Sequence, residues 1–335
     1  MELVNRIDEA EQLAAQGRFV DALDLLAAEN RAASDPELEL RLIDLRFRAA
    51  QTYDAGPGRT PWPPDYSDPF PDVVGKLPEI PASALTTDIL GGGVAHHGAL
   101  VVRGVFSPEQ IGRTVDAIHR AQAHRDLDDA ADDRWYRPFE VSGRNIAPTL
   151  RQIVRDQGGT WLADSPRSTA LVLDELRAAG VTDAISEHLG ERLFFSLQKS
   201  TLRRSIARNK LVAWHQDGSF LDADVRTMNV WVALSKCGGD YPSPGLQVAP
   251  KRIPEILPVD GILTPHSVAA EVVAEVTADT GLIVPEFDPG DALLFDERFL
   301  HRTYLNQDMT EDRYALECWF FAPSHPSTEY VSFLV

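Results

Sequence analysis

A chain of 335 residues with 51 acidic against 32 basic side chains carries a formal charge of −19. Such a field repels phosphate backbones and anionic headgroups, so neither nucleic acid nor a membrane surface is an expected partner. Two cysteines, Cys237 and Cys318, are too few for a disulfide scaffold or a thiolate metal site, and no apolar run approaches the roughly 20 residues a bilayer demands; a soluble, cytoplasmic protein is expected.

From residue 1 to about 52 the apolar residues recur with a helical period: Leu3, Ile7, Ala10 and Leu13, then Phe19, Leu23 and Leu26, then Leu38, Leu42, Leu45 and Ala49. Three short helices are predicted. Gly17 is placed to end the first in a left-handed conformation. Ser34 with Glu37 reads as a capping box for the third, with Pro36 in its first turn. The stretch AEQLAAQGRFVDALDLL resembles a tetratricopeptide helix pair. One repeat cannot bury its own apolar stripe, so docking on the rest of the chain or on a second copy is expected.

Residues 53–82 hold eight prolines and predict a linker or surface strap without a regular element. A third region, 83–335, follows. Helical patterns at 108–123 and 168–179 precede Leu193, whereas β-branched and aromatic runs recur at 100–105, 193–197, 225–234, 282–287, 292–295 and 314–321. Helices first and strands afterwards predict a mainly β fold with flanking helices, a sandwich and not an alternating βα sheet. Five Asp within 126–133 read as a solvated loop.

The chemistry-bearing segments are WHQDGSF at 214–220 and the long run that begins FDERFLHRT at 295. In extended chain His215 and Asp217 point to one side, so both can reach one ion. His301 lies 301 − 217 = 84 residues further on, room enough for a return strand. Two His and one carboxylate on one face of a metal suit a non-haem Fe(II) oxygenase, because the other positions stay open. Arg313 follows His301 by 313 − 301 = 12 residues and can pair bidentately with the far carboxylate of a dicarboxylate cosubstrate. Its bland alternative is a surface salt bridge with Glu311 or Asp312. For each His the bland alternative is a hydrogen-bonded structural role.

Together with NVWVALSKCGGD, PGLQVAPKR and GDALLFDERFLHRT, these segments make residues 98–321 resemble the phytanoyl-CoA dioxygenase family of 2-oxoglutarate oxygenases. The resemblance implies a double-stranded β-helix, or jelly-roll, core behind the small N-terminal helical segment. It implies Fe(II) on His215, Asp217 and His301, with 2-oxoglutarate as cosubstrate and O2 as oxidant. Arg313 would hold the cosubstrate carboxylate and Thr303 would add a hydroxyl contact. Gln198 and Trp231 match positions that line the cosubstrate pocket; their alternatives are a backbone hydrogen bond and a place in the core. The reaction implied is hydroxylation of a small molecule with release of succinate and CO2. An Asp at position 217 argues against chlorination, for which relatives carry a small residue there.

Lys199, Arg203, Arg204, Arg208 and Lys210 put five cations into twelve residues ahead of the metal motif, which suggests an anionic substrate or, more plainly, solvated edge-strand charges. Residues 158–168 read either as a substrate-side loop, with Trp161 as wall and Asp164 as polar handle, or as a turn capped by Ser165. Two other function classes fit the same sequence: a helical-repeat interaction protein with an inactive jelly roll, possible as a homo-oligomer through its N-terminal helices, and a cupin-like metalloenzyme that does not use 2-oxoglutarate.

Overall fold

Apolar residues spaced three and four apart coil the start of the chain into α1 (Glu2–Ala15), α2 (Phe19–Ala32) and α3 (Pro36–Thr52). This computed structural model describes residues 2–127, 134–141, 148–206, 213–261, 264–328 and 330–335. Gly17, at φ +77°, ends α1 as its lack of a Cβ allows. The cap of α3 is Asp35 and not Ser34: the Asp35 carboxylate accepts from the Glu37 and Leu38 amides. Ser34 instead donates to Glu39, a fully buried acid that also takes Arg134 at 2.9 Å and Arg167 at 3.0 Å.

The proline-rich strap leads into β1 (Glu79–Pro81), its one short regular element among the described residues, and then α4 (Thr87–His97) and β2 (Ala99–Arg103). Three consecutive glycines in α4 have a packing reason. A Cβ on Gly91 would run into the Tyr66 ring, and one on Gly92 would lie 2.6 Å from Pro69 Cδ, so the strap sits directly on the bare helix face. Next come α5 (Pro108–Asp126), opened by a Ser107–Gln110 capping box worth about 1 kcal/mol, α6 (Pro148–Asp156), β3 (Gly159–Trp161), α7 (Pro166–Ala178) and α8 (Val181–Leu189).

The remaining strands are β4 (Phe194–Ser196), β5 (Thr201–Ser205), β6 (Thr227–Ala233), β7 (Gly245–Val248), β8 (Ala292–Phe295), β9 (His301–Tyr304), β10 (Arg313–Phe321) and β11 (Ser332–Leu334), with α9 (Ala270–Val276) between β7 and β8. They make the two sheets of a double-stranded β-helix. The larger runs β1-β2-β8-β6-β10-β4-β11, with β5 pairing β10 and β3 pairing β5. The smaller is β7 with β9, extended by single bridges from His215 to His301 and from Ile283 to Val248. The run at 282–287, expected as a strand, makes only such isolated bridges, and Pro285 within it has no amide to give a ladder.

Each inner strand of the large sheet is buried on both sides. One face, with Val230, Val232, Leu294, Leu316, Cys318 and Phe320, packs against α4, α5, α7 and α8. The other, with Trp231, Ala233, Leu293, Phe295 and Ala315, meets Leu246 and Val248 of the small sheet. That second space is the interior of the roll. The N-terminal helices do not stand apart, because their stripe packs on Phe194, Trp319, Phe321 and Leu334 of β4, β10 and β11. No helix is long and apolar enough to cross a membrane among the described residues.

Candidate metal centre

Two neighbouring chain segments bring the histidines together. His215 and His301 exchange both backbone hydrogen bonds, at 3.0 and 3.1 Å, which sets their rings 4.4 Å apart between centroids. Each ring is turned by its own backbone. His215 Nδ1 lies 2.9 Å from the Ala213 carbonyl and His301 Nδ1 lies 3.0 Å from the Phe299 carbonyl. A carbonyl only accepts, so each Nδ1 carries its proton and each Nε2 presents a free lone pair to the centre.

Asp217 opens a 3₁₀ turn, 217–220, and its Oδ1 stands 3.7 Å from His215 Nε2. Gln216, between the two, is fully buried and explains why the loop holds its shape. Its Nε2 donates to the Glu255 and Arg298 carbonyls, and its Oε1 accepts from the Leu257 amide. One ligand atom from each of His215, Asp217 and His301 lies within 4.8 Å of the others, a spacing able to hold one metal ion. Desolvation dominates the electrostatics of the triad. Burial pushes His215 down to about 3, helped by the adjacent His301, and pushes Asp217 up to about 6 against the pull of His301 and Lys199.

The triad opens into a cavity of about 320 Å³ inside the roll. Of the residues expected around it, Gln198, Trp231 and Thr303 are in the wall. Thr303 is there because β9 alternates, placing 301 and 303 on one face. The plainer alternatives for the other two are also seen: Gln198 accepts from the Val331 amide at 2.9 Å, and Trp231 packs on Phe287 in the core.

Arg313 is brought close but lies outside this wall. Its guanidinium sits 5.4 Å from the Trp231 ring, 1% exposed, with Nη1 donating to the Gly245 carbonyl at 3.0 Å and Nη2 to Ser205 at 3.1 Å. The salt bridge to a neighbouring acid does not form, since Asp312 pairs with Arg204. Arg313 Nε has no partner, and no carboxylate comes within 4 Å among the described residues. Burial accordingly lowers Arg313 from the usual arginine range.

Sequence reasoning passed over Asn229 and Glu317, which strand alternation predicts beside residues already chosen. Asn229 is two before Trp231 on β6 and donates to Asp217 Oδ2 at 2.6 Å. Glu317 is four past Arg313 on β10, faces the cavity and pairs with Arg203 at 2.7 Å. Burial works to raise Glu317, yet Arg203 holds it below the usual carboxylate range. The expected substrate-side loop at 158–168 lies elsewhere: Trp161 is buried in the helix-side core and Asp164 is taken by Arg151. Ser165 precedes α7 as expected, but its hydroxyl bonds Ser168 Oγ and caps no amide. Arg208, Lys210 and most of the acidic run at 126–133 lie outside the described residues.

A jelly roll with two histidines and one carboxylate converging on its interior defines a class of metal-binding β proteins. Within it, residues 94–241 match the family described as phytanoyl-CoA dioxygenase (PhyH), a stretch that takes in His215 and Asp217. No curated protein matches the chain. Among solved structures, EctD from S. alaskensis with 2-oxoglutarate and 5-hydroxyectoine is similar at 21% identity and a TM-score of 0.50, covering 69% of this chain and 74% of that one. AviO1 from Streptomyces viridochromogenes Tue57 is similar at 18% identity and a TM-score of 0.44, over 70% of this chain and 93% of that one. At such identities the first likeness is one of fold.

Proposed function

We propose that this chain is a non-haem Fe(II)/2-oxoglutarate-dependent dioxygenase that hydroxylates an unactivated C–H bond of a small molecule. The observation that carries the reading is the convergence of His215, Asp217 and His301, whose ligand atoms lie within 4.8 Å of one another while each histidine Nδ1 is held by a backbone carbonyl. When bound, iron(II) supplies the redox chemistry by which O2 and 2-oxoglutarate yield succinate and CO2 while R–H becomes R–OH.

The protein's part is holding and shielding. Three ligands on one face leave positions for cosubstrate and oxygen. A guanidinium buried without a counter-ion costs several kcal/mol, and an incoming carboxylate offsets that cost, which supports Arg313 as the cosubstrate's anchor. Thr303, Trp231 and Gln198 line the triad's cavity, and Trp231 also meets the Arg313 guanidinium at 5.4 Å, which supports them as walls of the cosubstrate's site. The division into a helical segment (1–52), a strap (53–82) and an oxygenase domain (83–335) belongs to the same proposal.

The deciding experiment adds Fe(II) and 2-oxoglutarate to the protein without oxygen and looks for the visible charge-transfer band of the chelate. A band, followed by succinate formation once air is admitted, is expected. Replacing His215, Asp217 or His301 by Ala should abolish both. Full iron occupancy and turnover in His301→Ala would sink the assignment.

A further inference from the structure

Within the cavity that holds the triad, Lys199 is the charged side chain whose partner is missing. It follows β4 and lies under three aromatic rings: Nζ is 4.1 Å from the Phe220 ring centre and 5.0 Å from those of Trp319 and Tyr330. Aromatic faces attract an ammonium, but they supply no lone pair for its three N–H donors. Lys199 makes no hydrogen bond or ion pair among the described residues. The acids nearest in its electrostatic surroundings are committed elsewhere: Asp217 to Asn229 and the metal position, Glu317 to Arg203.

Of the other cations named from sequence, the two among the described residues, Arg203 and Arg204, do not share this state. Arg203 is neutralised inside the cavity by Glu317, and Arg204 is paired on the surface with Asp312. In the same cavity α6 contributes Leu150, Ile153 and Val154 to the wall, and Ile153 is 46% exposed. The combination, among the described residues, is an ammonium without a hydrogen-bond or ion-pair partner beside aromatic and aliphatic surface.

Resting on the reading of the site as an iron and 2-oxoglutarate centre, we propose that Lys199 anchors an anionic group of the substrate. The substrate class is therefore a small molecule with a carboxylate or similar anion at one end and an apolar body that packs on Phe220 and α6. The rings hold the ammonium in place before the substrate arrives, so little side-chain freedom is lost when the ion pair forms. That pair is a charge-assisted hydrogen bond, stronger than one to a neutral group.

The test compares charge at constant shape. Protein loaded anaerobically with Fe(II) and saturating 2-oxoglutarate is titrated with straight-chain and aryl monocarboxylates and with their primary amides, following the visible charge-transfer band, which responds to a guest beside the metal. Carboxylates are expected to bind about ten- to a hundredfold more tightly than the amides. That preference should vanish in Lys199→Met, of similar length without charge, and in Lys199→Gln, while the band itself persists in both. Equal response to acids and amides in the wild type, or a preference that survives in Lys199→Met, overturns the proposal. Loss of the band in Lys199→Met alone also overturns it, by assigning Lys199 to the cosubstrate. A wild-type protein that gives no band at all removes the parent reading and this one with it.

Discussion

Asn229 Nδ2 donates to Asp217 Oδ2 at 2.6 Å, and both residues are buried. The bond ties up one carboxylate oxygen and leaves Oδ1 directed toward the histidines, so it selects which oxygen meets a metal. Partners of this kind tune metal affinity about 10- to 100-fold. Asn229→Ala should therefore weaken Fe(II) binding by roughly that factor, read by competition with a chelator, while the fold stays intact. An unchanged affinity would mean that the turn at 217–220 alone positions the carboxylate.

Arg313 poses the reverse problem, a cation whose natural partner comes from outside. Arg313→Ala should raise the 2-oxoglutarate concentration needed for the charge-transfer band by at least about tenfold, with Fe(II) binding unchanged. Because no buried carboxylate is left stranded, thermal stability should fall much less than when a buried ion pair is broken. An unaltered 2-oxoglutarate requirement would make Arg313 a prop for the Pro244–Gly245 turn.

Residue spacing and the family resemblance together brought out the triad, because His215 and Asp217 two apart can face one side and only a distant strand can complete the set. The three N-terminal helices were equally legible, since each follows a clean 3.6-residue period. Less was visible where tertiary contacts decide. Ser34 satisfies every local rule for a cap, yet Glu39 draws its hydroxyl away because Arg134 and Arg167 bury that acid. Trp161 and Asp164 promised a polar-aromatic loop and are instead consumed by the helix-side core and by Arg151. Lys199 was visible only as one of five cations. What sets it apart is that the others named in the described region found acids, and pairing across strands cannot be read along a chain.

Glu39 fastens α3 to the body of the protein. It is fully buried, while Arg134 and Arg167 keep partial solvent access, with side chains 23% and 26% exposed. Glu39→Ala leaves two arginines without this acid, though water reaches both, so the loss should fall near the lower end of the usual range, about 3 kcal/mol. Chemical denaturation measures it. Fe(II) and 2-oxoglutarate binding should be unaffected at temperatures where the variant is folded, and a loss below about 0.5 kcal/mol would show that the three residues are no more than a surface pair.

Removal of the helices altogether separates support from chemistry. No residue before 150 contributes to the described wall of the triad's cavity, and the apolar residues of α1, α2 and α3 are spent on packing. Their partners are Phe194, Trp319, Phe321 and Leu334, all buried, and uncovering each costs about 1.5–3 kcal/mol. Deletion of residues 2–51 should accordingly reduce stability and promote aggregation through the bared edge of β4, β10 and β11. Trp319 also roofs Lys199, so the preference for carboxylates over amides should weaken along with the packing. Any truncated protein that remains folded should still bind Fe(II) and 2-oxoglutarate, because the triad and Arg313 rest on the roll's own strands. A soluble, monodisperse truncation unable to bind 2-oxoglutarate would show that the helices help to build the site, and the separation of a helical segment from an oxygenase domain would then have no physical basis.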